Sequence, residues 1–295
     1  MWYYPQAVVV NDRVYVGGGK SSSDVEAQTV MFYEPQHDVW NTLLQCYMCV
    51  KFAMSVIKNL LVLVGGEEVQ TEDVTNMLGV WDETMQGWTH PFPPMHTACD
   101  AASAVTYGDQ WLVVVGGQNS RGEDLSKVEI LDTSSGQWYY GAPLPQPCSH
   151  LSAAVIGDRL FLLGGFIRSN PSKRVLYVRL SDLISQAISR SPTSPTSSPW
   201  QTLPDTHHVR STALTLGGTN TLLAVGGGIS GNGSIHMYQP SSGNWIEVGI
   251  LPTARRQCVC ATLPSGELFI AGGGSVHIQL QVDIATVFLR YNPAH

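Results

Sequence analysis

The chain has 295 residues, 43% of them hydrophobic and only 13% charged, with 29 Gly, 17 Pro and a formal charge of −7. So low a charged share excludes a disordered chain, the glycines and prolines leave little room for long helices, and the acidic balance argues against a broad nucleic-acid surface. No run of about 20 apolar residues marks a membrane span, and Met1-Trp2-Tyr3-Tyr4-Pro5 lacks the basic region and apolar run of a signal peptide.

Along the chain, an apolar run ending in a glycine doublet recurs six times, with doublets beginning at Gly18, Gly65, Gly116, Gly164, Gly226 and Gly272. The runs are Val14–Val16, Leu60–Val64, Trp111–Val115, Leu160–Leu163, Leu222–Val225 and Leu268–Ala271, and the doublets are spaced by 47, 51, 48, 62 and 46 residues. A second marker runs in phase: Tyr33, Trp81, Leu131 and Tyr238 each precede a tryptophan, Trp40, Trp88, Trp138 and Trp245, by 7 residues. Segments such as Asp132-Thr133-Ser134-Ser135-Gly136 separate the two and read as hairpin turns. A fixed period of this length means a repeat architecture. Each unit is a small antiparallel sheet that cannot cover both of its faces alone, so neighbouring units must pack on one another.

The fourth unit is longer. Tyr177 stands 23 residues before Trp200, and the extra segment, residues 181–199, begins with Leu183/Ala187 and Ile184/Ile188 at helical spacing. Ser181 is the expected N-cap. Ser189 to Pro199 follows, a Ser/Pro/Thr-rich stretch with three Ser-Pro pairs that reads as an inert surface loop. In the last unit Val276, Ile278, Leu280, Val282 and Ile284 alternate as in a strand, extending the blade hairpin. No tryptophan strand follows Tyr291, so residues 1–4, with Trp2, are expected to supply the outer strand of the sixth unit and close the ring without a free edge.

This pattern resembles the kelch repeat over nearly the whole chain. The third unit carries it most clearly, in Ala101–Thr106, Gly108-Asp109, Trp111–Gly117, Val128–Asp132 and Gly136-Gln137-Trp138. The resemblance implies an all-β, six-bladed propeller with four-stranded antiparallel blades. The blades fall near residues 5–44, 45–95, 96–146, 147–204, 205–252 and 253–295 plus 1–4, in one domain. It further implies a monomeric, cytoplasmic protein-interaction module. Such domains recruit substrates to cullin-based ubiquitin ligases or bind cytoskeletal partners. The alternative it carries is a kelch-type enzyme acting on a sugar or small molecule in the central channel.

The residues favour interaction over catalysis. No Gly-x-Gly-x-x-Gly, Walker loop, His-Glu-x-x-His or Gly-x-Ser-x-Gly is present. Cys46 and Cys49 have metal-ligand spacing but no second Cys or His pair to complete a zinc site, and the six cysteines read as reduced thiols. No cofactor is expected. Counting 16 residues back from each doublet gives the inner-strand entries Trp2, Cys49, Asp100, Cys148, Arg210 and Arg256. In peptide-binding kelch domains an arginine there grips an acidic motif. The expected partner site is therefore Arg210 and Arg256, flanked by Arg255, His207 and His208. Asn119, Arg121 and Arg168 on the loops after the doublets form its rim, for a protein or an acidic peptide. Those loops differ in sign, acidic in the second blade (Glu67, Glu68, Glu72, Asp73) and basic in the fourth (Arg168, Lys173).

Overall fold

The computed structural model describes residues 5–18, 29–43, 50–68, 70–189, 198–209, 212–215, 221–227, 233–251, 255–256, 258–263, 268–271, 274–275 and 287–289. The first sheet is β1 (Gln6–Val10), β2 (Arg13–Gly17), β3 (Met31–Glu34) and β4 (Val39–Thr42). The second is β5 (Ala53–Ile57), β6 (Leu60–Val64), β7 (Leu78–Asp82) and β8 (Gly87–Thr89), and the third is β9 (Ser103–Tyr107), β10 (Trp111–Val115), β11 (Val128–Asp132) and β12 (Gln137–Tyr140). In the fourth unit β13 (Ser152–Ile156) and β14 (Arg159–Leu163) lead into a short ribbon, β15 (Phe166–Ile167) and β16 (Asn170–Pro171). β17 (Val175–Arg179), the helix α1 (Leu180–Ile188) and β18 (Gln201–Leu203) complete it. The fifth sheet is β19 (Thr212–Thr215), β20 (Leu222–Val225), β21 (Ser234–Gln239) and β22 (Asn244–Ile250). Last come β23 (Arg255–Arg256), β24 (Val259–Thr262), β25 (Leu268–Ala271), β26 (Gly274–Ser275) and β27 (Val287–Leu289), with β24, β25 and β27 forming a three-stranded sheet and β23 pairing with β26.

The described residues thus contain five four-stranded antiparallel blades, not the expected six, with a three-stranded sheet in the sixth position. Residues 1–4, the alternating segment 276–284 and Tyr291 lie outside the described residues. The first strands of successive sheets adjoin in the order β1, β5, β9, β13, β19 and β24, and β24 adjoins β1. A separate apolar cluster fills each junction. At the last one Phe269 stacks on Tyr33 at 5.7 Å between centroids.

This packing explains the two sequence markers. β6, β10, β14 and β20 lie between covered faces, so their side chains are apolar on both sides instead of alternating. The two markers seven residues apart are cross-strand partners: Tyr33↔Trp40, Trp81↔Trp88, Leu131↔Trp138 and Tyr238↔Trp245. The indole then reaches the previous blade. Trp138 donates to the Pro93 carbonyl at 2.9 Å, Trp200 to Ala142 at 3.1 Å and Trp245 to Pro204 at 2.9 Å. Blade four departs by one residue. Tyr177 pairs with Gln201, not Trp200, and Val178, opposite Leu160, occupies the place of Leu131.

The first doublet glycine has a steric reason. Gly116 has φ +66°, and a Cβ there would stand 2.4 Å from the Cys148 carbonyl oxygen of the next blade. Gly117 N–H donates to that same oxygen at 3.0 Å, so two blades share one backbone contact that no larger residue admits.

The helix α1 forms where helical spacing predicted it, and Leu180, Leu183, Ile184 and Ala187 are buried, while Ile188 stays exposed. Ser181 is not its N-cap. Arg179 holds that position without a side-chain cap. Asp158, on the β13–β14 turn, accepts hydrogen bonds from Ser181 N–H at 2.9 Å and Ser181 Oγ at 2.7 Å, and its carbonyl accepts from Leu180 N–H at 2.8 Å. The helix start is therefore satisfied from a neighbouring turn instead of by its own chain.

Candidate functional site

The inner strands enclose a central channel of about 510 Å³. Small side chains make it hollow, among them Ala7, Ala104, Ser152, Ala153 and Thr262. At one end Lys51, Ala101 and His150 stand two residues ahead of β5, β9 and β13 and line the mouth. All three adopt left-handed backbone, with φ of 56°, 50° and 51°. A chain of hydrogen bonds holds them: Ala101 N–H donates to the Lys51 carbonyl at 2.9 Å and His150 N–H to the Ala101 carbonyl at 2.8 Å. Non-glycine residues pay a steric cost there and persist only where their surroundings impose it.

Arg210 also stands two residues ahead of its inner strand, β19, whereas Arg256 stands three ahead of β24. The count of 16 therefore does not hold one register. The same count gives Asp100, three ahead of β9, but Cys148, four ahead of β13. The hairpins differ in length, with two residues between β13 and β14 and three between β9 and β10, and the segments ahead of the inner strands shift with them. Arg255 and Arg256 pair through backbone with Ser275 and Gly274. Their side chains, and Arg210 entirely, lie outside the described residues, as do Cys46 and Cys49.

On the side of blades two and three, Lys51 Nζ donates to Asp100 Oδ2 at 2.8 Å and to Glu67 Oε2. Asp100 is 3% exposed and its Oδ1 has no partner among the described residues. Burial raises the Asp100 pKa, opposed by the hydrogen bond from Lys51. Burial also works against the Lys51 ammonium, but its two carboxylate partners outweigh that and hold its pKa above the ordinary value. This inter-blade triad was not foreseen, because its members are separated by 16 and 49 residues.

Asn119 is a loop-shaping residue. Its Oδ1 accepts from Arg121 N–H at 2.9 Å and Glu123 N–H at 3.0 Å, and its Nδ2 donates to Glu123 Oε2 at 2.7 Å. The Arg121 side chain is exposed beside it. Arg168 and Ser169, with φ of 49° and 62°, form the turn of the β15–β16 ribbon. Arg168 N–H donates to Asp124 Oδ2 at 2.7 Å, which ties the loops of blades three and four, and its side chain is exposed.

His207 and His208 join a third imidazole that sequence reasoning missed. His207 stacks on the buried His236 at 4.3 Å and 12°, and His208 meets His236 edge-on at 5.6 Å. His208 Nε2 also lies 3.0 Å from Ser234 Oγ. Instead of standing alone on a loop, the pair anchors the segment ahead of Arg210 to blade five. Burial, then the neighbouring His207, lowers the pKa of both His236 and His208. Among the described residues no group of three or more His, Cys, Asp or Glu is arranged to hold a metal ion, and no helix is long and apolar enough to cross a membrane. Cys99, Cys148, Cys258 and Cys260 are buried.

A ring of four-stranded antiparallel blades around a channel defines a β-propeller. Residues 51–273 match the KLHDC2/KLHL20/DRC7 Kelch-repeats domain model, and the chain belongs to the kelch-repeat β-propeller family. It is 24% identical over 264 residues to Kelch-like protein 25 of Xenopus tropicalis and 25% identical over 271 residues to that of Homo sapiens, in each case over 84% of this chain and 42% of the relative. It is 26% identical over 166 residues to Beta-scruin of Limulus polyphemus, covering 53% of this chain and 18% of that protein. The chain thus spans less than half the length of these curated relatives. In fold it resembles the solved structure of YjhT, with a TM-score of 0.73 at 15% identity over 93% of this chain and 91% of that one.

Proposed function

We propose that this chain is a six-bladed kelch propeller, with residues 1–4 completing the sixth blade, and that it binds a protein or peptide on the loop face around the channel mouth. The observation that carries this reading is the strained ring of Lys51, Ala101 and His150, which lines an open cavity and is flanked by loops of segregated charge. Backbone held in such conformations clusters at ligand sites. Glu67, Glu68, Glu72, Asp73, Glu123 and Asp124 make one side acidic, while Arg168, Lys173, Arg210, Arg255 and Arg256 make the other basic. An acidic peptide is the partner that the basic side fits, since arginine forms paired hydrogen bonds with carboxylates. The asymmetry would set its direction across the face.

The likeness to Kelch-like protein 25 supports a non-enzymatic adaptor in the cytoplasm, serving as the substrate-recognition domain of a cullin-based ubiquitin ligase or as a cytoskeletal adaptor. The test is affinity capture of partners with identification by mass spectrometry, repeated with Arg210→Glu and Arg256→Glu. Either reversal should weaken binding to the captured partner by about 2 kcal/mol or more, the scale of a desolvated interfacial charge. Lys58→Glu, on the opposite end of the inner strands, should leave it unchanged. Undiminished binding by the double arginine variant at physiological salt would overturn the reading.

A further inference from the structure

A second cavity, of about 590 Å³, opens between blades four and five at the end of the inner strands opposite the channel mouth. Its walls are Phe161, Tyr177 and Leu203 on one blade and Leu222, Tyr238 and Pro240 on the other. Volumes of this order suit one small organic molecule. Phe161 and Tyr177 stack at 5.8 Å and 25°, presenting a flat aromatic wall.

The charges at its rim are unusual. Arg159 and Arg179 both line the cleft, and they are directly opposite partners in the β14–β17 pair. Like charges face to face across a sheet are destabilising. Asp158 is the one carboxylate among the described residues lining the cleft, and it is already engaged with Ser181 through both oxygens. It reaches Arg179 only at 3.8 Å. The Arg159 guanidinium carbon lies 5.8 Å from the Tyr177 ring centroid, over the aromatic wall instead of beside an acid. The rim therefore carries two guanidinium groups against one committed carboxylate, above an apolar floor.

We infer that this cleft is a binding site for a small amphipathic anion, an organic carboxylate or sulfonate whose apolar body lies on the Phe161–Tyr177 wall while its anionic head bridges Arg159 and Arg179. The head relieves the repulsion between the two arginines and accepts charge-assisted hydrogen bonds from both. The site lies away from the mouth, so it is independent of the partner reading above.

The test is a fluorescence titration of the full chain with 1-anilinonaphthalene-8-sulfonate. One saturable site is expected, displaced by decanoate but not by decan-1-ol at equal concentration. Arg159→Gln combined with Arg179→Gln should weaken binding of the probe at least tenfold, and Arg159→Lys with Arg179→Lys should recover part of the loss. Lys58→Gln, remote from the cleft, serves as the charge control and should bind as wild type does. Melting temperatures check that the exposed substitutions leave the fold intact, and the competition in the wild-type chain stands whether or not they do. Non-saturable binding, equal displacement by the alcohol, or full affinity in the double glutamine variant would each refute the site.

Discussion

Single residues at the mouth hold neighbouring blades together through charge. Lys51 belongs to blade two and Asp100 to blade three, with side chains 18% and 4% exposed. Lys51→Met would leave Asp100 and Glu67 without their counter-charge. The expected loss is about 2 kcal/mol, between the small worth of exposed pairs and the larger penalty for breaking fully buried ones. Urea denaturation would measure it, and Asp100→Asn on the same background should restore part of it. The imidazole group predicts a pH effect. Burial and the facing His207 and His208 hold His236 below its ordinary pKa, against the opposing influence of Glu247 at 4.0 Å, and Lys173 adds to the positive side near His208. A depressed histidine pKa means that the unfolded chain binds the proton more readily. The stability it contributes is therefore full above the unfolded pKa, about 6.5, and is lost as pH falls from there through the folded value. Melting temperature should drop from pH 7.5 to 5.5 in the wild type, and the drop should be smaller in His236→Phe, which keeps a ring for His207 to stack on.

Among the elements, blade four separates what local pattern reveals from what it hides. Helical spacing between Leu183 and Ala187 was legible, because a helix is periodic over neighbouring residues. The group that satisfies its first turn was not, since Asp158 lies 23 residues from Ser181 and reaches it only after β13 and β14 fold back. The same holds for the marker tryptophan. Sequence spacing associates Tyr177 with Trp200, but the insertion decouples the strands, and register follows burial: Val178 faces blade three and Tyr177 turns to the cleft of blade five. The helix and the Ser-Pro stretch should respond oppositely to change. Leu183→Ala removes a fully buried side chain and should cost about 2–5 kcal/mol in chemical denaturation. Replacing residues 190–197 with a short Gly-Ser linker removes no large apolar side chain and should move the melting temperature by no more than about 2 °C. A larger shift would show that the stretch packs.

For the whole molecule, ring closure decides stability. A propeller has no edge only if its last blade meets its first, and β24 adjoining β1, with Phe269 against Tyr33 and Trp40, supplies that contact here. Completion of the sixth blade by residues 1–4 adds a further expectation. Deleting them should expose an edge and lower the melting temperature, and Trp2→Ala alone should cost about 3–5 kcal/mol with the indole buried as Trp138, Trp200 and Trp245 are. Melts of both variants that coincide with wild type would exclude closure by the N-terminal segment.

The sequence alone determined the repeat, the strand that each apolar run forms, and the pairing of Tyr33, Trp81, Leu131 and Tyr238 with their tryptophans. Those relations are local and recur with the period of a hairpin. It also pointed to loops of opposite sign, because charge is read directly from composition. Only the tertiary structure decided which distant residues meet: Lys51 with Asp100 between blades two and three, His207 with His236, and Arg159 across from Arg179 on a cleft shared with Tyr238. Hairpins of two or three residues and segments of unequal length ahead of the inner strands shift the register by one or two positions, so a fixed count from the glycine doublet lands on different places in different blades. Contacts between blades depend on that register and on backbone packing around the ring, neither of which a single repeat contains.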